Sequence, residues 1–488
     1  MGILNTIVIV VYLLGITLVG AYFAKKSGKN TDRFFKAGGK IPAWAAGISI
    51  WATTLSAITF MAIPAMAYQG DWLFAVGNMS IVLVAPFVFH FCVPFFRKLE
   101  VTTAYEYLEH RFNVVIRLFG SVLFMLFHIS RVAIVIYLPT LAITTISGDN
   151  PYLVASVIGI LCIIYTFLGG MEGVIWSDVI QGFILLGGLV IALIVGLYQV
   201  PGGIRTTFSY ALAHGKLLSA NQLDWSFVKL TIPTMLVGSF FINLYAYVGS
   251  QDVVQRYNTT PTLKATGHSL YLNAFMAFVS TLLFFSMGTV LYVFYHFHAG
   301  LRPVAINSDS IFPYFIIHVL PSGISGLIIA AIFAAAQSTI SSSLNSISAC
   351  FSTDIVRRFF VLGSEKSAVM TARFVIIIVG IIAMAVTFYM IQTDQSELLK
   401  TFQSALGLFG APIAGVFLLG FFTKRANGLG CIIGVLASVI ALLYAETTAL
   451  TFLYYGMIGV GCSFCIGYLA SVLFPSDKQV DAKLTIYG

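Results

Sequence analysis

The chain has 488 residues, 59% of them hydrophobic and only 9% charged, with a mean hydropathy of +0.96. A soluble protein of this length could not present so few charges to water, so soluble classes are excluded. The formal charge of +8 lies in short loops, where it signals orientation, and no nucleic-acid partner is expected.

Apolar runs of about twenty residues recur and predict an all-α polytopic membrane protein with about 13 transmembrane helices. An extra first span covers 3–24. It lacks a basic leading region and a small-residue cleavage site, so it reads as a retained span rather than a signal peptide. Twelve numbered spans follow: 42–69, 72–96, 114–145, 151–169, 173–199, 230–249, 266–297, 321–353, 367–392, 401–423, 427–447 and 449–473. A tail covers 474–488. The whole of 1–488 reads as a single transmembrane domain embedded in a lipid bilayer.

With the N-terminus outside, 20 of the 26 Lys and Arg fall in inner loops. That bias predicts an outer N-terminus and a cytoplasmic C-terminus. The longest polar stretches are 200–228 outside and 97–113 inside. The latter contains "VTTAYEYLEHRFN", which reads as an amphipathic inner helix. No soluble domain of any size is predicted, which argues against receptors, sensor kinases and membrane enzymes with a separate head. No nucleophile–base pair or metal triad appears in the spans, so no catalytic residue is expected. No obligate protein partner is evident. The pair Cys462 and Cys465 lies in an apolar run without a second pair or a histidine, and reads as packing.

Span one holds "WATTLSAITF" at 51–60, with four hydroxyls near its middle. Span six carries Pro233, Gly238, Asn243 and Gly249. Interrupted helices five spans apart point to two inverted five-helix repeats, and they are tolerated only around a cavity or ligand. Small residues that merely permit close packing are the alternative for either helix alone.

Arg131 lies well within span three, where a lone cation costs roughly 2.5–3.5 kcal/mol on insertion scales. Either Asp178 or an anionic ligand offsets it, and the bidentate match of guanidinium and carboxylate favours the ligand. His128, one turn earlier, reads as locally hydrogen-bonded. Span eight holds "AAAQSTISSSLNSIS", whose Ser338, Thr339, Ser341 and Ser342 line two neighbouring faces. With Asp178 as the one buried carboxylate available, they suggest a hard-cation site of oxygen ligands.

"YTFLGGMEGVIWSDVIQG" at 165–182, "GSQDVVQRY" at 249–257 and "IFAAAQSTISSSLNSIS" at 332–348 resemble motifs of the sodium/solute symporter family. "WATTLSAITFMAIPAMAY", "FRKLEVTTAYEYLEHRF" and "FHISRVAI" resemble its bacterial sodium-coupled sialic acid symporters. The resemblance covers essentially the whole chain. It implies the LeuT fold, with repeats at 42–199 and 230–423 and two additional C-terminal spans at 427–473. It implies sodium-coupled symport of sialic acid into the cell across the bacterial cytoplasmic membrane, by alternating access and with two sodium ions. Another small solute of the family, a carboxylate, sugar or amino acid, is the alternative. The resemblance places one sodium on the carbonyls of Ala52, Leu55 and Ala335 with the hydroxyls of Ser338 and Thr339. It places a second on Asp178, Ser338, Ser341 and Ser342. It puts the sialate carboxylate on Arg131, with Thr54, Ser56, Thr59, Phe74 and Asn78 around the substrate. Four positions depart from the subfamily pattern that the resemblance implies. Thr339 replaces a serine, Asn78 replaces a glutamine, and Tyr245 and Ala246 replace a glutamine pair expected to face the cavity.

Overall fold

The computed structural model describes residues 2–219, 222–302, 310–360, 364–393, 408–476 and 480–487. Among these, every regular element is a helix. Among the described residues, nine helices are long and apolar enough to cross a membrane, or up to eleven when each of two bent pairs counts as one span. The run Pro151–Gln199 has 49 residues, about 73 Å of helix at 1.5 Å per residue and more than twice a bilayer core. It divides at Gly170, whose φ of 54° and ψ of −157° are non-helical. Spans four and five are therefore separate helices, as the sequence predicts. A Cβ at Gly170 would stand 2.9 Å from the Phe34 carbonyl oxygen, so only glycine fits this turn. Gly410–Phe422 supplies the described part of span ten, and 401–407 lie outside the described residues.

Span one is Ala43–Thr54 followed by Ala57–Gln69, bent by 67°. Span six is Ile232–Val248 followed by Gln251–Tyr257, bent by 63°. The second half of span six corrects the sequence reading, which ends the span at 249 and leaves Arg256 in an inner loop. All seven residues of Gln251–Tyr257 are buried. Its charges can be buried because each finds a partner inside the bundle, as described below.

The inner helix is Ala104–Arg111, opened by a capping box of Thr103 and Glu106. It is not a surface helix: Tyr105, Tyr107 and Arg111 are buried. It packs into the end of the bundle that carries the basic loops, hereafter the basic end. At the opposite end Lys216 donates to the carbonyls of Tyr68 and Gln69 at 2.9 Å and of Gly70 at 3.1 Å. This ammonium caps the C-terminus of span one, where the helix dipole is negative. Burial pulls the Lys216 pKa down, and Asp71 partly offsets that.

Candidate functional site

Leu55 and Ser56 take extended conformations, and Ser56 then caps the second half-helix by accepting from the Thr59 amide at 3.3 Å. The break removes the amides that would have bonded the Ala52 and Thr53 carbonyls. Those carbonyls find side chains instead. Ala52 O accepts from the Ser338 hydroxyl at 3.0 Å. Thr53 O accepts from Arg131 Nη2 at 3.3 Å and from Thr339 at 3.4 Å. In span six the Gly249 carbonyl accepts from Tyr105 at 2.9 Å. Each interruption thus turns backbone groups toward other helices.

A cavity of about 250 Å³ lies between the two breaks. Thr54, Thr59, Asn78 and Arg131 line it, with Asn243, Tyr247 and Asp252. Ser56 and Phe74 do not. The Ser56 hydroxyl is spent on its cap and on a 3.1 Å bond with Thr59. Phe74 stands one turn from Asn78, away from the basic end, and packs against Leu73, Val76, Met235 and Leu453. Ala246 lines the cavity, but Tyr245 turns away from it to lie against Gly249 and Gly410. The expectation that both residues of that pair face the cavity is corrected: adjacent helical positions are set about 100° apart.

Arg131 does not pair with Asp178. Its Nη1 lies 3.3 Å from Asp252 Oδ2. Asp178 pairs instead with Arg256 at 2.9 Å, and both side chains are 0% exposed. The pair of alternatives read from sequence therefore omits the actual partner, because Asp252 reads there as a loop residue. His128 is hydrogen-bonded, but its Nδ1 partner at 3.0 Å is Ser343 of span eight, 215 positions away, and not a local group.

Four of the five groups of the first cation set converge. The Ser338 hydroxyl lies 3.0 Å from Ala52 O and 3.1 Å from Ala335 O, and Thr339 reaches Ala335 O at 3.3 Å. The added methyl of Thr339 does not prevent this. Leu55, the fifth, lies at the break and lines the cavity. Carbonyls and hydroxyls are suitable ligands for a hard cation, the hydroxyls by turning lone pairs toward it.

The second set is divided. Asp178 Oδ2 accepts from Ser49 at 2.5 Å and from Arg256 Nη2. The same Nη2 donates to Ser342 at 2.6 Å. A guanidinium thus stands between two of the four expected ligands. Ser341 donates back to Ser338 O at 3.2 Å. Ser49, Asp252 and Arg256 are residues the sequence reading omits. The motif "GSQDVVQRY" carries two of them, and its charges next to an apolar run look like a span's end.

Two discontinuous helices facing each other across a small polar cavity define a secondary transporter, not a continuous pore. The chain belongs to the sodium:solute symporter family, whose model matches residues 34–438. It is a multi-pass membrane transporter and not an enzyme. It is 45% identical to the sodium/sialic acid symporter SiaT of Proteus mirabilis (strain HI4320), over 98% of this chain and 97% of that one. It is 44% identical to the sodium/sialic acid symporter NanT of Aliivibrio fischeri (strain ATCC 700601 / ES114), over 98% and 95%. A solved structure of a Na+-coupled sialic acid symporter in a substrate-bound outward-open state, 44% identical, matches with a TM-score of 0.93 over 98% of this chain and 99% of that one. Mhp1, a nucleobase-cation-symport-1 family transporter in a closed conformation, is 13% identical and matches with a TM-score of 0.56 over 90% and 94%. That likeness concerns the fold alone, which is the LeuT fold read from the sequence.

Proposed function

We propose that this chain moves sialic acid into a bacterial cell with sodium, by alternating access across the cytoplasmic membrane. The observation that carries this reading is Arg131, a guanidinium in the cavity wall between the two helix breaks. The relatives at 44–45% identity over nearly the whole chain support the solute. A free carboxylate is the chemistry that a cavity arginine recognises, since it can accept two parallel N–H bonds. Arg131 takes the sialate carboxylate in exchange for Asp252. Thr54, Thr59 and Asn78 contact the sugar, and Ser56 shapes the break by capping it. Phe74, outside the cavity wall, supports the helix of Asn78 by packing against Leu73, Val76, Met235 and Leu453.

Sodium at Ala52, Leu55, Ala335, Ser338 and Thr339 ties span one to span eight at the break that also touches the solute. One break in contact with ion and solute is the physical basis of coupling. The repeats run over 42–199 and 230–423. The basic end faces the cytoplasm, which leaves the N-terminus outside and the C-terminus inside.

The test is uptake by purified protein in proteoliposomes, with sialic acids, neutral sugars and amino acids as competitors. Sodium-driven uptake that only sialic acids compete for supports the reading. Uptake of another solute, or uptake indifferent to a sodium gradient, overturns it.

A further inference from the structure

The loop between spans ten and eleven carries Lys424 and Arg425, both exposed at the basic end. They line a cavity of about 930 Å³ whose inner wall includes Arg111. Arg111 is 1% exposed. Its guanidinium donates to the carbonyls of Gly420 at 3.2 Å, Ala426 at 2.8 Å and Thr423 at 2.7 Å. Carbonyls carry no net charge, so they hold this cation without cancelling it. Lys424 is steadied over the Tyr487 ring, 4.7 Å from its centroid. Among the described residues no acidic side chain lines the cavity.

Two helices start at its wall. Asn113 caps span three, Val114–Ser147, and Asn427 caps span eleven, Gly428–Glu446. The two starts lie side by side, since a Cβ at Gly428 would stand 2.2 Å from Asn113 Nδ2. The caps satisfy the amides of Ile116 and Gly430. The positive ends of both helix dipoles add to the field of the cations.

An apolar slot follows between the same two helices. About one turn deeper, Ile116 and Phe119 of span three and Ile432 and Leu436 of span eleven wall a space of about 210 Å³. Ile413 and Val416 of span ten line it too, and among the described residues no polar side chain does. Ile413 also lines a further cavity with Leu123, Phe127 and Leu442, so the path continues. From Asn113 to Leu123 span three rises about 15 Å, the depth of hydrocarbon in one leaflet. A cationic mouth above an apolar slot of leaflet depth matches an amphiphile. A free anion would leave the slot unfilled.

We infer that the groove between spans three and eleven binds an anionic phospholipid of the leaflet at the basic end. Its phosphate lies among Lys424, Arg425 and the two helix starts, and one acyl chain fills the slot. A zwitterionic headgroup would bring an ammonium to a wall of cations with no carboxylate to receive it, so the site selects lipids of net negative charge. No residue of this mouth or slot belongs to the solute cavity or to either cation set. The inference therefore stands apart from the identity of the solute.

The experiment delipidates the purified full chain and follows binding by native mass spectrometry and by thermal unfolding. The probes are phosphatidylglycerol, phosphatidylethanolamine and inorganic phosphate. Phosphatidylglycerol should occupy one tight site and raise the unfolding midpoint, and the other two should not. The double variant Lys424→Gln with Arg425→Gln should weaken that binding about thirtyfold. Leu436 is 59% exposed, so Leu436→Trp can enter the slot with the charges intact, and it should weaken the same binding. Equal binding of both lipids, or a double variant that binds like the natural chain, overturns the anionic headgroup site. Phosphate that raises the midpoint as far as the lipid does, or Leu436→Trp with unchanged lipid binding, overturns the acyl slot and with it a lipid as the occupant.

Discussion

At the scale of single residues, the cavity is a contest for one guanidinium. Asp252 holds Arg131 at 3.3 Å, longer than a tight charge-assisted bond of about 2.7–2.9 Å. A solute carboxylate with bidentate geometry can outbid it. Arg131→Ala should abolish binding of sialate by the purified protein, and undiminished sodium-dependent binding would remove the anion role. Asp252→Asn removes the rival, so sialate should bind more tightly at low sodium and the stimulation by sodium should shrink. Sodium stimulation equal to that of the natural chain would show that Asp252 takes no part. Asn78 stands in the cavity wall, at a position where the resemblance implies glutamine. Asn78→Gln should shift competition among sialic acid variants, and an unaltered competition profile would exclude Asn78 as a selectivity position. Asp178→Asn should lower the sodium Hill coefficient or cripple uptake. An unchanged coefficient and rate would sink the second ion.

At the scale of elements, both breaks are legible in the sequence and their surroundings are not. Thr53, Thr54 and Ser56 announce an interruption because hydroxyls and freed carbonyls need partners that a lipid-facing helix lacks. The role of Ser56 as a cap follows from its position one residue before a helix start. Pairings such as Arg131–Asp252 and Arg256–Asp178 join residues 121 and 78 positions apart. No local pattern encodes which carboxylate meets which arginine. Charges in Gln251–Tyr257 imitate a loop because hydropathy counts charge without knowing that it is neutralised. The density of hydroxyls in span eight is legible, but the pairing of Asp178 with Ser49 and Arg256 depends on two other helices. Ser56→Ala should cost about 1 kcal/mol through the lost cap. Thermal unfolding in detergent should register that loss, and an unshifted midpoint would show that the cap contributes nothing.

Across the whole molecule, an ion network ties the basic end together. Arg117 meets Glu109 and Asp354, each at 2.7 Å, and Arg358 meets Glu109 at 2.9 Å. These contacts join the inner helix, span three and the end of span eight, where Phe351–Val356 forms a π-helical turn. Burial opposes ionisation of Glu109, but Arg117 and Arg358 outweigh it and hold its carboxyl below the usual glutamate range. Its folded pKa is depressed, so this tie is complete at neutral pH and is lost only as acid protonates the carboxylate. Opening the basic end must break the network. Removing one partner of a buried pair costs about 3–5 kcal/mol. Arg117→Ala should therefore populate the state open at the basic end, read as increased labelling of cysteines introduced there. Labelling no faster than in the natural background would show that the network is not a closure. Net inward movement of positive charge with two sodium ions and one sialate should also make uptake voltage-sensitive, at roughly 2.3 kcal/mol per elementary charge per 100 mV. Uptake unaffected by an imposed potential would exclude that stoichiometry.

The Arg131–Asp252 contact has a consequence for how symport is enforced. In the unliganded cavity the two charges cancel. When an anionic solute takes over the guanidinium, Asp252 is left as an uncompensated negative charge in a medium where such a charge is expensive. A cation entering nearby restores neutrality. The obligation to travel together can thus arise from charge balance in a small volume, with no signal relayed between sites. The solute and one ion then neutralise each other, and a second ion carries the net charge.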